Sequence, residues 1–253
     1  MKAVAIIPAR YASTRLSGKP LINILGKPMI QHVYERCKEA KTIDRVLVAT
    51  DDKRIFDVVE AFGGKAVMTS PAHETGTDRL AEVASNIDSG LVVNVQGDEP
   101  LIKPEMIDEA VLPLLEDRSI VMGTLKSLLT DQNELSSPSV VKVVVDKEDN
   151  ALYFSRHPIP YIGHISEKPG RPVHYKHVGL YAFKREFLLK FAAMEPSPLE
   201  KLEKLEQLRA LENGYKVKVK TTIFNSIGVD EPQDVEKVKN ALLKMMETTN
   251  GSS

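Results

Sequence analysis

The sequence predicts an α/β protein with a doubly wound, mostly parallel central sheet. Two observations in the first half of the chain lead to this prediction. Short, unbroken apolar runs are typical of strands buried on both faces, and they alternate with amphipathic segments of helical period. Because repeated strand–helix alternation gives parallel strands joined by right-handed crossovers, we expect an open sheet covered by helices.

The elements of the first half are predicted in order from their own residues. The run from Val4 to Ile7 is the first strand, and Pro8 ends it because proline has no N–H for a central ladder. Asp51 and Asp52 can cap a helix that Gly63-Gly64 ends, and Pro104 opens another helix at its first turn. The other predicted strands are 45–50, 66–68 and 91–95, and the other helices are 29–41 and a segment from about 78 to 87.

Strands outnumber helices in the second half, which we expect to extend the same sheet. Pro198 should open a helix over 199–213 that Gly214 ends, and a closing helix should cover 234–246. We interpret residues 1–247 as one domain with halves at about 1–118 and 119–247, followed by a frayed tail at 248–253. The predicted strands are 120–125, 140–146, 151–155, 178–183 and 216–224, and residues 157–172 are a loop or arm.

Composition limits the classes of function. A net charge of −1 gives no general basic surface, which argues against nucleic acid as a partner. No apolar run approaches the ~18 residues that a membrane span needs, so we expect no membrane insertion. Cys37 is the single cysteine, which excludes an internal disulfide and a cysteine-based zinc site. Met1-Lys2 leads directly into the first strand, and we therefore expect the cytoplasm.

A cationic loop follows the first strand. It contains Arg10, Arg15 and Lys19, with Ser13 and Thr14 between them, and no carboxylate. Because ligands of open α/β sheets bind at the carboxyl ends of strands, this loop suits a polyphosphate; the alternative is a solvated basic loop. The spacing fits neither the Walker loop nor the dinucleotide-binding glycine fingerprint.

Two aspartates are candidate ligands for Mg²⁺. Asp98 follows the fourth predicted strand through Gln96-Gly97, so it should lie at the same sheet edge as the cationic loop. Mg²⁺ prefers oxygen ligands and is often held by one or two carboxylates plus substrate phosphates. Asp230 is the candidate second ligand, although by spacing alone either aspartate could instead be a turn or capping residue.

At this point the chain resembles a known family. The stretch from Ile7 to Pro20 is similar to the signature loop of the sugar-activating cytidylyltransferases, in particular those acting on 3-deoxy-manno-octulosonate (Kdo). The resemblance spans residues 2–245, with Ser17 in place of the family's usual proline. Six further stretches match in order, at 76–83, 94–100, 151–156, 177–181, 205–209 and 228–230.

The resemblance implies a Rossmann-like nucleotidyltransferase fold with a β-rich dimerisation extension. It also implies transfer of a cytidylyl group from CTP to Kdo for lipopolysaccharide biosynthesis, with Mg²⁺ and a homodimer. The catalytic residues it implies are Arg10, Arg15, Lys19 and Asp98, and the metal ligands are Asp98 and Asp230. The implied nucleotide-binding residues are Pro8, Ala9, Arg10, Ser13, Thr14, Arg15, Lys19, Thr75, Gly76, Thr77 and Arg79.

The sugar-binding residues implied by the family are Gln96, Arg156, His177, Tyr181, Glu206 and Gln207. Arg156 can form paired bonds to a carboxylate, and His177 and Tyr181 lie four apart on a strand and so share a face. Glu206 and Gln207 lie on a helix striped with leucines, where the alternative for Glu206 is a solvated face.

Two other functions remain open from the sequence. A cytidylyltransferase for another acid sugar, such as sialic acid, would share the first loop. A nucleotide-binding regulatory protein without catalysis would bind CTP and turn over no sugar, although the presence of both candidate metal carboxylates argues against it.

Overall fold

A computed structural model describes residues 3–12, 16–163 and 174–250 of the chain. Its strands are β1 (Ala3–Ala9), β2 (Asn23–Ile24), β3 (Lys27–Pro28), β4 (Ile43–Thr50), β5 (Ala66–Met68), β6 (Leu91–Asn94), β7 (Met122–Leu128), β8 (Lys142–Val145), β9 (Ala151–Ser155), β10 (Tyr175–Lys184) and β11 (Val217–Thr222). Its α-helices are α1 (Met29–Glu39), α2 (Lys53–Ala61), α3 (Gly76–Ser85), α4 (Pro104–Glu116), α5 (Gln132–Ser136), α6 (Arg185–Ala192), α7 (Pro198–Glu203), α8 (Leu208–Glu212) and α9 (Pro232–Asn250).

The chain forms two compact units. The first contains Met1–Asp108 together with Asn225–Ser253, so the C-terminal helix α9 belongs to the N-terminal unit, and the second contains Glu109–Phe224. The proposed single domain with halves at 1–118 and 119–247 stays a prediction.

The sheet of the first unit is parallel, with strand order β6-β1-β4-β5. Val4 of β1 lies opposite Arg45 on one side and Val92 on the other, so β1 is a central strand. Ala3, Val4, Ala5, Ile6 and Ile7 are all fully or almost fully buried, which explains their unbroken apolar run. The predicted α/β class with a mostly parallel sheet is confirmed.

The parallel register brings the loops after β1 and β6 to one edge of the sheet. Ile6 lies opposite Asn94, the last residue of β6, and Val95 N–H donates to the Ile6 carbonyl over 3.2 Å. Since both strands run in the same direction, the loops that follow them leave at the same edge.

An apolar cluster packs α9 against the β2–β3 hairpin and α1 within the first unit. Ile24 of the short β2–β3 hairpin and Met29 of α1 are fully buried in this cluster. It is completed by Leu101, Val229, Val235, Val238 and Leu242. The start of α9 is therefore fixed close to the sheet edge by burial of its apolar side.

The second unit is rich in strands, as predicted. β7 pairs with β11 in parallel and with β10 antiparallel, and β8 pairs antiparallel with both β10 and β9. The proposed role of these strands in dimerisation stays a prediction. None of the helices in the described part of the chain combines the length and the apolar composition that a membrane span requires.

The predicted single helix over 199–213 is wrong, because the chain forms two short helices there. α7 ends at Glu203, and Lys204 adopts the left-handed conformation with φ 55°. A left-handed residue cannot continue a right-handed α-helix, so the helical hydrogen bonds stop at this point. Glu206 therefore lies between the helices, and Gln207 precedes the first residue of α8.

Several short elements were not predicted, and several ends differ. The prediction that Pro8 ends the first strand is wrong, because β1 continues to Ala9 and pairs with β4 up to Thr50. The 3₁₀ turn Lys19–Leu21, the β2–β3 hairpin, α5 and α6 are too short for a clear periodic pattern. α9 begins at Pro232 and continues to Asn250, beyond the predicted 234–246, and the frayed tail at 248–253 stays a prediction. Residues 251–253 lie outside the described part of the chain.

We expect Gly123→Ala to destabilise the second unit. A Cβ at Gly123 of β7 would lie 2.7 Å from the Ala110 carbonyl oxygen and 2.8 Å from Leu114 Cδ1, both on α4. Because the first of these atoms is backbone, strand and helix must move apart, and overpacking of this kind costs about 1–3 kcal/mol of unfolding free energy. Urea denaturation measures this change.

Gly179→Ala in β10 is the matched control, because a Cβ there meets nothing within 4 Å. Equal unfolding free energies for the two variants would contradict the close packing of β7 on α4.

Candidate active site

A cavity of about 390 Å³ lies at the carboxyl edge of the sheet in the first unit. Its size is within the range of small-molecule sites. The lining combines the end of β1 and the loop that follows it, the start of α1, the loop after β6 and the segment before α9. The lining residues are Pro8, Ala9, Arg10, Ala12, Lys19, Pro20, Met29, Gln96, Gly97, Asp98 and Asp230.

Three charged side chains meet in this cavity. Lys19 Nζ lies 2.6 Å from Asp98 Oδ2 and 3.3 Å from Asp230 Oδ1. The lysine side chain is only 12% exposed, whereas the exposed fractions of the Asp98 and Asp230 side chains are 37% and 63%. One nearly buried cation thus bridges two carboxylates that are 132 positions apart in the sequence.

Backbone contacts fix the positions of these side chains. Gly18 adopts a left-handed conformation (φ 68°) and starts the 3₁₀ turn that carries Lys19. Val229 is fully buried, and its N–H donates to the Asp98 carbonyl over 2.9 Å. Asp230 follows directly, and its N–H donates to Asp234 Oδ2 in the first turn of α9 over 3.1 Å.

The loop after β6 lies against the end of β1. A Cβ at Gly97 would lie 3.0 Å from the Pro8 carbonyl oxygen, so a larger residue would push Asp98 away from the first loop. Glu99 is an acid that the sequence analysis did not consider. Burial raises the pKa of Glu99 to about 7, and the nearby charges of Asp98 and Asp230 add to this effect.

Arg10 connects the cationic loop to the segment before α3. One of its guanidinium nitrogens donates to the carbonyls of His73 and, over 3.3 Å, Thr75. Thr75 caps α3, since its hydroxyl accepts from Asp78 N–H and the Asp78 side chain accepts from Thr75 N–H, each over 3.1 Å. Thr75 is therefore a helix cap, and a helix N-terminus of this kind is compatible with an anionic ligand.

Other predicted nucleotide residues lie close to this segment or inside the unit. A Cβ at Gly76 would lie 3.5 Å from Pro8 Cγ, so the start of α3 approaches the end of β1. Thr77 is buried on α3. Arg79 is fully buried and donates to Thr69 Oγ1 and, over 3.0 Å, to Asp51 Oδ2. Because the guanidinium of Arg79 is engaged inside the unit, its contact with a nucleotide stays a prediction.

The predicted residues Ser13, Thr14 and Arg15 lie outside the described residues. Their assigned roles stay predictions.

Two predicted sugar-binding residues form an aromatic cluster in the second unit. The rings of His177 and Tyr181 have centroids 5.3 Å apart, and the ring of Phe154 packs on His177 at 5.0 Å. His177 Nε2 is 2.9 Å from the hydroxyl of Thr124 on the neighbouring strand. Burial lowers the pKa of His177 to about 3, so the imidazole is neutral at neutral pH.

Glu206 and Gln207 lie in the same unit. Burial raises the pKa of Tyr181 well above its ordinary value, and the charge of Glu206 adds to this effect. Glu206 Oε1 is also 3.6 Å from an Arg209 guanidinium nitrogen, so Glu206 does not lie on a purely solvated face. The buried Nε2 of Gln207 has no hydrogen-bond partner among the described residues.

Arg156 is held by backbone carbonyls. Its guanidinium donates to the carbonyls of Glu203 (2.8 Å), Pro138 (2.9 Å) and Lys204 (3.3 Å). These bonds connect the end of β9 to the break between α7 and α8. The predicted contact between Arg156 and a sugar carboxylate stays a prediction.

Sequence reasoning missed residues that act through the backbone or through packing. The His73 carbonyl that accepts from Arg10 leaves no signal in a side-chain pattern. Glu99 could have been found, because an acid directly after Asp98 at a predicted sheet edge shares the environment of that aspartate.

Comparisons with known proteins agree with this geometry. The family model described as cytidylyltransferase matches residues 4–221. A 3-deoxy-manno-octulosonate cytidylyltransferase of Geobacter metallireducens is 58% identical over 249 residues, which cover 96% of this chain and 98% of the relative. The Geobacter sulfurreducens protein of the same name is 57% identical and covers 96% of this chain and 100% of the relative.

Solved structures give the same result. A CMP:2-keto-3-deoxy-manno-octonic acid synthetase in complex with CTP superposes with a TM-score of 0.90 at 43% identity, covering 97% of this chain and 100% of that one. A 4-diphosphocytidyl-2C-methyl-D-erythritol synthase from Anaerococcus prevotii has a TM-score of 0.61 at 19% identity, with coverage of 96% and 99%, and supports the fold alone. The resemblance deduced from the sequence motifs is confirmed.

The low pKa of His177 predicts acid sensitivity. His177 has a pKa of about 3 in the folded state and an ordinary value of 6.5, so the unfolded state binds more protons between these values. Its contribution to stability is complete above pH 6.5 and is lost as the pH falls toward 3. We expect the melting temperature of the wild type to fall more steeply over this interval than that of His177→Gln.

The exposed His157 provides the control variant, His157→Gln, whose profile should follow the wild type. Parallel wild-type and His177→Gln profiles would show that His177 is not buried as a neutral ring.

Proposed function

The chain belongs to the cytidylyltransferase family, and from this we propose that it transfers the cytidylyl group of CTP to 3-deoxy-manno-octulosonate, giving CMP-Kdo and pyrophosphate. The main support is the 58% identity, over almost the whole length of both chains, to a relative of that name. The product is the activated sugar that lipopolysaccharide biosynthesis requires.

The reaction is a displacement at the α-phosphorus of CTP. The anomeric hydroxyl oxygen of Kdo forms the new P–O bond, the P–O bond to pyrophosphate breaks, and the hydroxyl proton passes to solvent. Negative charge increases on the departing pyrophosphate. The protein therefore has to orient two polar substrates and stabilise this charge.

Lys19 is best placed to stabilise the charge. Its ammonium group lies in the cavity at the sheet edge and is largely shielded from water, so its interaction with a phosphate is weakly screened. We assign Arg15 the same role from the family resemblance. Arg10 also lines the cavity, and its bonds to the His73 and Thr75 carbonyls position the loop against the start of α3.

Asp98 and Asp230 fit a site for Mg²⁺. Their carboxylates reach one point from two separate segments, and Lys19 Nζ lies at that point. The described residues contain no group of three or more His, Cys, Asp or Glu side chains arranged for a metal ion. Two carboxylates nevertheless suit Mg²⁺, which commonly completes its coordination with water and substrate phosphates. When bound, Mg²⁺ would withdraw electron density from the phosphate and lower the pKa of an attacking hydroxyl.

Lys19 lies where the proposed metal ion would bind. Two carboxylates held this close repel each other unless a cation lies between them, and in this structure the cation is the ammonium group. Asp98 and Asp230 would hold Mg²⁺, and the ammonium group of Lys19, which lies beside both carboxylates, would bind the triphosphate.

We assign the sugar to Gln96, which lines the cavity, and to the residues of the second unit that the family resemblance implies. The neutral ring of His177 and the hydroxyl of Tyr181 suit a ligand rich in hydroxyl groups. The buried amide donor of Gln207, which has no partner among the described residues, is a group that such a ligand would satisfy. We also assign Arg156 and Glu206 to binding of the sugar.

We also propose a homodimer and a cytoplasmic location. The support for the dimer is the family resemblance and the strand-rich second unit. The support for the location is the family alone.

A panel of acid sugars tests the proposed function. With CTP and Mg²⁺ present, we expect pyrophosphate release with Kdo and little or none with sialic acid. Faster release with sialic acid would favour the rival sugar. CTP binding without turnover on any sugar would favour a regulatory protein that has lost catalysis.

Asp98→Asn tests the metal assignment. We expect turnover to fall by orders of magnitude, about 10²-fold or more, because an amide binds Mg²⁺ more weakly than a carboxylate. Mn²⁺ titration in the presence of CTP, followed by electron paramagnetic resonance, should show weaker binding by the variant. The control is Asp57→Asn on the exposed side of α2. Among the described residues, Asp57 forms an ion pair with Lys53 of the same helix. Turnover and Mn²⁺ affinity near wild type in Asp98→Asn would refute the assignment.

A further inference from the structure

Tyr11, in the cationic loop, is covered by an arginine from a different element. The central guanidinium carbon of Arg54, on α2, lies 3.3 Å from the centre of the Tyr11 ring. Contacts within about 6 Å of the ring centre count as cation–π interactions, so this is a close stacked contact. A planar guanidinium can stack on a ring in a way that an ammonium group cannot.

The same tyrosine closes the loop. Gly18 N–H donates to the Tyr11 carbonyl over 2.9 Å, which joins the two ends of the segment between them. The Tyr11 ring also lies against Gly18, because a Cβ at Gly18 would be 3.2 Å from ring atoms. Lys19, the cation that bridges the two aspartates, follows Gly18 directly.

Arg54 is itself held in place. Its Nε and one terminal nitrogen donate to the two carboxylate oxygens of Asp52 over 2.9 and 2.6 Å. Asp52 caps α2, accepting from the Arg54 backbone N–H over 2.9 Å. The pair of Arg54 and Asp52 is electrically neutral and therefore brings no further positive charge to the loop.

We propose that Arg54 is a positioning residue for the cationic loop. Arg54 stacks on Tyr11 and is fixed by Asp52. It therefore holds Tyr11 and Gly18, which the backbone hydrogen bond joins, and so keeps Lys19 at the proposed triphosphate site. This inference rests on the proposed function, because CTP is the ligand that the loop is assigned to bind. The Arg54 side chain is 60% exposed, so its removal should leave the core intact.

The neighbouring Lys53 supplies a matched control. It is on the same turn of α2, carries the same charge and forms an ion pair of 2.7 Å with Asp57. Its side chain is 79% exposed and has no contact with Tyr11 among the described interactions. Lys53→Ala therefore changes charge and helix propensity in the way Arg54→Ala does, without removing the stacked contact.

The first measurement is amide hydrogen exchange in the absence of nucleotide. Arg54→Ala should increase deuterium uptake in the peptide that contains the Gly18 N–H, while Lys53→Ala should match the wild type. The second measurement is steady-state kinetics. Arg54→Ala should raise KM for CTP about two- to five-fold, the effect of losing one exposed cation–π contact, with KM for Kdo unchanged.

Variants at the ring complete the experiment. Tyr11→Phe should behave as the wild type, and Tyr11→Leu should reproduce the effects of Arg54→Ala. Arg54→Lys should show nearly the same deuterium uptake and KM for CTP as Arg54→Ala, because an ammonium group cannot stack on the ring as a guanidinium does. Adding Arg54→Ala to Tyr11→Leu should have no further effect on either readout.

Equal deuterium uptake in Arg54→Ala and Lys53→Ala would overturn the proposal. So would a change in uptake with no change in KM for CTP, or additive effects of the Tyr11→Leu and Arg54→Ala changes. A wild-type protein that binds no CTP would refute the proposed function instead, and the exchange experiment would still decide whether Arg54 holds the loop.

Discussion

A single backbone hydrogen bond, from Val229 N–H to the Asp98 carbonyl, brings together the two ends of this site. Val229 is fully buried in the cluster that holds α9 against the hairpin and α1, so the bond is protected from water and the segment cannot shift freely. Asp98 is the acceptor residue of this bond, and Asp230 directly follows the donor residue, Val229. The meeting of two distant carboxylates therefore depends on burial of the apolar side of the C-terminal helix, a feature with no chemistry of its own.

The charges in the cavity make it a site that requires a cation. Asp98 and Asp230 approach one point, and the half-buried Glu99 that follows Asp98 has a pKa raised to about 7 by burial of its carboxyl group and by their charges. Lys19 meets this requirement in the present structure. A triphosphate carries several negative charges of its own, so its binding beside two carboxylates needs additional positive charge. For this reason we propose that the three cations of the loop after the first strand, and a divalent metal at the aspartates, offset the charge of the triphosphate.

Side chains chosen for their charge were harder to place from the sequence than the backbone elements. Arg79 and Arg156 both match family motifs, yet one bonds Thr69 and Asp51 inside the first unit and the other bonds three carbonyls in the second. An arginine has five donors and can bond protein carbonyls as readily as a ligand, and sequence does not distinguish the two. The break at Lys204 shows the same limit for the backbone, because lysine has no intrinsic preference for the left-handed conformation that ends α7.

The sequence by itself determined the parallel α/β class, the cationic loop after the first strand, the two aspartates and the family. These are properties of short, contiguous patterns: apolar runs that must be buried, and motifs in a fixed order. Only the tertiary structure decided that Lys19 bridges both aspartates, that Arg54 stacks on Tyr11 and that Arg79 turns inward. These contacts join residues that are far apart in the sequence, and the packing of helices and strands sets their distances.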